Sequence, residues 1–181
     1  MNERIYNNPI DKLRSPERMA RLELGKVIEF CLKDNSIQTI LDIGTGSGIF
    51  AEAFNNEGIE ATGIDINEDM LSAARKFAPM SDFVIGSAEK IPFADKSFDA
   101  AFMGMVFHEV SDYKASLLEA KRVTKKFTFI LEWKFKTEDY SPPLEHRLTP
   151  EFIKNLAKEV GFKAVSEYQL SNLVLYELSL G

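Results

Sequence analysis

An apolar run enters a turn that holds three glycines within five positions, Leu41-Asp42-Ile43-Gly44-Thr45-Gly46-Ser47-Gly48. Glycine there admits backbone conformations closed to other residues and lets the chain approach a ligand where a Cβ would collide. Twenty-one residues after Gly44, at the end of the next apolar run, stands Asp65. A carboxylate in that place can accept hydrogen bonds from both hydroxyls of a ribose. Strand, glycines and distal acid therefore point to an adenosine-containing ligand. The plainer readings are a tightly packed turn and an acid favoured at the start of the next helix. A second set of groups follows. His108 is one of two histidines, and an imidazole could take a proton from an acceptor or serve as a structural residue bonded to a loop. Glu132 could orient a substrate amine or hydroxyl, or pair with Lys134 or Arg147. Arg147 ends the run Ser141-Pro142-Pro143-Leu144-Glu145-His146-Arg147, which reads either as a stiffened lid over a cleft or as an ordinary connection.

Positioning these groups needs strands that end beside one another. Short apolar runs alternate with amphipathic ones, the pattern of βα units around a mostly parallel sheet. Strands are expected at 39–43, 60–65, 82–86, 99–103 and 127–132. Helices are expected at 15–32, at 47–57 with Gly58 closing it, and at about 67–78 with Asn67 as cap. A further helix starts from a Ser111 cap, and its final Lys121 and Arg122 suit the negative helix end. The last is capped by Thr149, with Pro150 in its first turn and Gly161 as stop. Only Ser171 and Asn172 separate the final runs, 162–170 and 173–180. So short a link cannot be a parallel crossover and makes them a hairpin.

Composition sets outer limits. The 181 residues are 45% hydrophobic and 28% charged, which is globular and excludes collagen-like or disordered chains. No apolar run approaches the ~20 residues of a membrane span, and the Met-Asn-Glu-Arg start lacks an apolar leader, so a cytoplasmic location is expected. One cysteine, Cys31, allows no internal disulfide. The net charge of −6 argues against nucleic acid as partner.

The glycine spacing separates two adenosine ligands. A dinucleotide fingerprint puts its third glycine one position later than Gly48, where this chain has Ile49. With no second nucleotide-binding half either, an NAD-dependent oxidoreductase is the weaker reading. On residues 41–48, Asp65, the run Gly86-Ser87-Ala88-Glu89-Lys90-Ile91-Pro92-Phe93 and the motif Ser97-Phe98-Asp99, the chain resembles the class I S-adenosylmethionine-dependent methyltransferases, of the compact type 11 group. The resemblance covers about residues 36–132 well. It implies an α/β fold: a Rossmann-like, doubly wound, mostly parallel seven-stranded sheet with an antiparallel C-terminal hairpin, in three α/β/α layers. It implies a single domain over 1–181, with a helical cap at 1–35, a cofactor-binding core at 36–132, and a lid, last helix and hairpin at 133–181. The family's pattern would set Gly44 and Gly46 against the methionine moiety and Asp42 behind the loop. Asp65 would hold the ribose and Ile66 the adenine, with Ser87, Ala88 and Met103 completing the cofactor site. Ser87 departs from the aspartate usual in the family, and a hydroxyl is a weaker acceptor than a carboxylate.

The implied activity is methyl transfer to a small-molecule nucleophile by direct SN2 displacement, leaving S-adenosylhomocysteine. His108 and Glu132 are the catalytic candidates, and both, with Arg147, the substrate contacts. A non-catalytic S-adenosylmethionine-binding protein is the alternative of another class. No Asn/Asp-Pro-Pro-aromatic motif follows the fourth strand, which argues against adenine or glutamine amino groups as acceptors. Cys31 lies in the N-terminal helix, which argues against cytosine-C5 chemistry, and as the one thiol it argues against arsenic chemistry, which needs several. No clustered carboxylates suggest a metal. A monomer or homodimer without membrane or nucleic-acid partners is expected, and residues 6–14 are expected to close over the cofactor.

Overall fold

Residues 9–33, 36–136 and 143–181 are described by a computed structural model of the chain. Side chains alternate by face along each strand, and that alternation builds the layers. The strands are β1 (Thr39–Ile43), β2 (Glu60–Asp65), β3 (Asp82–Ile85), β4 (Phe98–Gly104), β5 (Thr124–Trp133), β6 (Ala164–Gln169) and β7 (Leu173–Ser179). They form one sheet in the order β3-β2-β1-β4-β5-β7-β6. The pairs from β3 through β5 are parallel, and β7 pairs antiparallel with both β5 and β6. The expected mostly parallel sheet and terminal hairpin are therefore present.

On one face Ile40, Ala100, Phe102, Phe129 and Leu175 pack with α2 (Leu24–Leu32), α3 (Ile49–Asn56) and α4 (Glu68–Phe77). On the other, Leu41, Ile43, Ala101, Met103, Ile130 and Tyr176 pack with α5 (Tyr113–Val123) and α6 (Pro150–Val160). No helix joins β3 to β4; Ile91 and Phe93 of that connection fill the second layer instead. The chain leaves β1 toward β2 and β3, then returns to β4 and β5 on the other side. The strand ends beside β1 and β4 are thus the place where such sheets open a crevice.

Two expected helix features differ. The run 15–32 is two helices, because Glu23 takes a left-handed conformation (φ 48°) between α1 (Pro16–Leu22) and α2. The Glu23 carboxylate bonds Lys26 at 2.7 Å and accepts from Ser171 N at 2.7 Å, so the break ties the N-terminal helices to the β6–β7 turn. The cap of α5 is Asp112, whose carboxylate accepts from Ala115 N at 2.9 Å, rather than its neighbour Ser111. Elsewhere the caps act as read: Asn67 accepts from Asp69 N and Thr149 from Phe152 N. Residues 6–8 of the expected N-terminal closure and 141–142 of the expected lid lie outside the described residues. The described parts of those segments are single 3-10 turns, Ile10–Arg14 and Leu144–His146.

Candidate active site

A cavity of about 650 Å³ opens at the ends of β1, β2, β3 and β4. That volume lies within the ~300–1,000 Å³ of small-molecule sites. The turn after β1 forms its floor. Gly44 and Gly46 are both left-handed, at φ 68° and 54°. A Cβ on Gly44 would stand 2.9 Å from Val106 Cβ, so the turn after β1 and the one after β4 touch only because Gly44 has no side chain. Thr45 N donates to Ile64 O at 2.9 Å, holding the turn to the end of β2.

Asp65 stands on the wall beside this turn. One of its oxygens accepts from Gly46 N and the other from Asn67 N, both at 2.9 Å. Each oxygen keeps a further acceptor site, so the carboxylate can serve a ligand while bracing the loop. Burial pushes its pKa up, and the backbone bonds from Asn67 and Gly46 work the other way. Asp42 lies deeper, 1% exposed, and accepts from Thr45 Oγ1 at 2.6 Å. Burial pushes its carboxyl up to about 7, against the bonds from Thr45 and Ala51.

Side chains from afar hold the rest of this end. Arg14 donates Nε and Nη2 to Ser47 O (3.3 and 2.8 Å), bonds Glu52 at 2.7 Å, and stacks 3.9 Å over Phe77. That sets Leu13 on the cavity wall. Gly86, Ser87, Ala88 and Glu89 line the opposite side, and Ile66 sits on the rim, 58% exposed. Arg122 pins this β3–β4 connection, donating to Ile91 O (3.0 Å), Phe93 O (2.8 Å) and Asp95 (2.9 Å) while it forks onto Glu119. Glu119 in turn accepts from Ile91 N at 2.8 Å.

At the β4 end the wall is Gly104, Met105, Val106, Glu109, Val110 and Ser111. Met105 is left-handed without being glycine (φ 61°), and its N donates to Leu131 O at 2.9 Å. A non-glycine residue held there marks local strain of the kind that collects at functional sites. Behind this wall His108 Nδ1 lies 2.8 and 3.0 Å from the two Glu132 oxygens, and His108 N donates to Glu132 Oε1 at 3.0 Å. The side chains are 8% and 2% exposed.

The cavity thus brings together Gly44, Gly46, Asp65, Ile66, Ser87 and Ala88 of the residues expected from sequence. Asp42 supports the floor from within. Met103 is fully buried in the α5/α6 core, and its neighbours Gly104 and Met105 reach the wall in its place. His108 and Glu132 bond each other rather than facing the cavity. Glu132 is held by His108, where sequence suggested Lys134 or Arg147. Arg147 is 7% exposed and donates to Lys134 O at 2.9 Å, off the cavity wall. Sequence reading did not single out Glu109 or the Arg122 clamp, while Leu13 on the wall falls within residues 6–14, expected over the cofactor. Arg122 read only as a cation suited to the negative helix end, because nothing local links it to a loop some thirty residues earlier. Among the described residues, no group of three or more His, Cys, Asp or Glu converges as a metal site.

Comparisons with known proteins agree with this geometry. A family model described as a methyltransferase domain matches residues 41–130, from within β1 into β5. A demethylmenaquinone methyltransferase of Renibacterium salmoninarum is 31% identical over 105 residues, 58% of this chain and 44% of the relative. A malonyl-[acyl-carrier protein] O-methyltransferase of Serratia marcescens is 32% identical over 94 residues, 52% of this chain and 37% of the relative. The chain thus spans less than half the length of these curated relatives. The crystal structure of a SAM-dependent methyltransferase from Aquifex aeolicus superposes with a TM-score of 0.82 at 26% identity, over 95% of this chain and 97% of that one. By turn, acid, sheet order and these likenesses, the chain belongs to the S-adenosylmethionine-dependent methyltransferases.

Proposed function

We propose that this chain transfers a methyl group from S-adenosylmethionine to a small-molecule nucleophile by direct displacement, in the cytoplasm and as a monomer or homodimer. The observation that carries the reading is the cavity at the β1/β4 crevice, where the Asp65 carboxylate stands beside a turn with no room for a Cβ at Gly44. These residues fit the donor. Asp65 keeps acceptor capacity for two ribose hydroxyls, Ile66 and Ala88 offer apolar contact to adenine, and Ser87 offers a hydroxyl. Gly44 and Gly46 leave space for the methionine end, with Asp42 and Met103 supporting that floor from the core. The donor supplies a methyl activated by its sulfonium. The chain's part is to bind, align and keep water out, which is where rate is gained when two reactants must meet in line.

The named relatives act on two unlike acceptors, a demethylmenaquinone and a malonyl-acyl carrier protein, so acceptor chemistry is read from the cavity rather than from them. Calorimetric titration with S-adenosylhomocysteine, and with NAD alongside, tests the reading. Micromolar binding of the first alone is expected. Binding of NAD alone, or of neither, overturns it.

A further inference from the structure

Charge is unevenly shared on the cavity wall. Asp65, Glu68, Glu89 and Glu109 are carboxylates, and Arg18 is the one Lys or Arg among the described wall residues. A guanidinium keeps its charge whatever else its N–H groups bond. The proposed donor brings a sulfonium, an ammonium and a carboxylate. The acids of the wall suit the first two and repel the third. A carboxylate taken into a partly enclosed site needs a cation or N–H donors. Among the described wall residues, Arg18 has the side chain of the right sign for it.

Local bonds fix where that side chain stands. Arg18 lies in the first turn of α1, where Ser15 Oγ accepts from Arg18 N at 3.3 Å. A cation there opposes the helix dipole, so α1 itself gains nothing from the charge. Arg18 Nη1 donates to Leu13 O at 2.9 Å. Leu13 packs at the glycine turn, with its Cδ1 3.6 Å from the place of a Cβ on Gly46. The next residue, Arg14, holds Ser47 O of the same turn through Nε and Nη2. The corner formed by the turn Ile10–Arg14 and α1 is thus clamped onto residues 46–47, and it carries Arg18 to that side of the cavity. Ile49, the first residue of α3, lies on the wall as well, and the positive end of a helix favours an anion.

We propose that Arg18 binds the carboxylate of the donor's amino-acid end. With Asp65 on the ribose, two groups of opposite sign then hold one molecule at two points and fix its direction along the glycine turn. The N-terminal corner becomes part of the donor site through this one side chain. The proposal rests on the methyl-transfer reading above.

Its test needs no identified acceptor. Calorimetric titrations compare S-adenosylhomocysteine with its decarboxylated analogue, which keeps the adenosine, the thioether and the ammonium and lacks only the carboxylate. The wild-type chain is expected to bind S-adenosylhomocysteine at least about tenfold tighter than the analogue, the ratio of a charge-assisted hydrogen bond. Arg18→Gln should bring that ratio to about one by weakening S-adenosylhomocysteine alone, with the analogue held within about twofold. Arg18→Lys keeps the charge and loses the fork, and should retain a ratio of about three. Equal weakening of both ligands in Arg18→Gln overturns the proposal and makes the arginine a structural support. The wild-type ratio kept in Arg18→Gln, or equal binding of both ligands by the wild-type chain, overturns it and leaves the donor reading standing. A wild-type chain that binds neither ligand overturns the donor reading and the proposal with it.

Discussion

At the β1–β2 end of the cavity the groups proposed to meet the donor are held by backbone N–H groups: Gly46 N and Asn67 N on Asp65, and Thr45 N on Ile64 O. At the β4–β5 end the support behind the wall is a bond between two side chains 24 residues apart, Glu132 and His108. Backbone bonds demand only that the turn form, so the first end tolerates change in what surrounds it. Side-chain brackets depend on the identity of each member, so the second end can be retuned one residue at a time. On the proposed reading, a shared donor and a variable acceptor call for that division.

The largest break in this arrangement should come where the two ends touch. Gly44→Ala places a Cβ against Val106 in a left-handed conformation. Overpacking costs about 1–3 kcal/mol and the left-handed backbone about 1–2 more. We expect S-adenosylhomocysteine affinity to fall at least about thirtyfold, with a lower melting temperature. Wild-type values for both would show that the two turns are not coupled through this contact.

Next in size is a pH effect confined to the first end. Asp42 has its carboxyl pushed up to about 7 by burial, with Asp65 adding to the rise and Thr45 opposing it. A group that holds its proton more tightly when folded favours the fold while protonated. Its contribution is therefore present in acid and lost as pH rises from about 4 toward 7, by roughly 4 kcal/mol in all. Asp42→Asn keeps an acceptor for Thr45 Oγ1 and removes the titration. Urea denaturation at pH 5 and pH 8 should show the variant gaining on the wild-type chain at the higher pH. An equal gap at both would mean that Asp42 does not titrate there.

The first end was also the legible one. Its chemistry is written in a contiguous turn plus one acid at a fixed spacing, and the strands that carry it are short apolar runs with clear stops. The second end was not, because its partners meet only through the pairing of β4 with β5. His108 and Glu132 are 24 residues apart, and either reads equally well as a reactive group. Nothing in the residues around Met105 announces its left-handed backbone. The break at Glu23 was hidden for a different reason: apolar spacing continues across it in nearly the same phase. At the α5 cap, Ser111 and Asp112 are both good cap residues, and only the bond to Ala115 N chooses between them.

Asp65→Ala separates support from recognition within the first end. It removes the brace on Gly46 and the proposed acceptor for ribose together, and hydrogen bonds to a charged group are worth about 1.5–3 kcal/mol. S-adenosylhomocysteine affinity should fall about tenfold or more. Asp65→Asn, with one acceptor oxygen left, should recover part of that loss if Gly46 N is again satisfied. Unchanged affinity in the alanine variant would remove Asp65 from the donor site.

The smallest expected effect tests whether the division between the two ends is complete. The loop that carries Ser87 and Ala88 is proposed to serve the donor side, yet Arg122 and Glu119 of α5 hold it through side chains. Arg122 reaches two carbonyls, Asp95 and both Glu119 oxygens at once. Only a planar fork with several donors can do that, and an ammonium cannot. Arg122→Lys should therefore keep the charge beside Glu119 and lose the grip on Ile91 O and Phe93 O. Since the guanidinium is partly exposed, the stability lost should be about 1 kcal/mol. Affinity for S-adenosylhomocysteine should drop about threefold. Unchanged affinity would show that the loop between β3 and β4 keeps its place without α5, held from the other side by the bond between Glu89 and the N–H of Ser111.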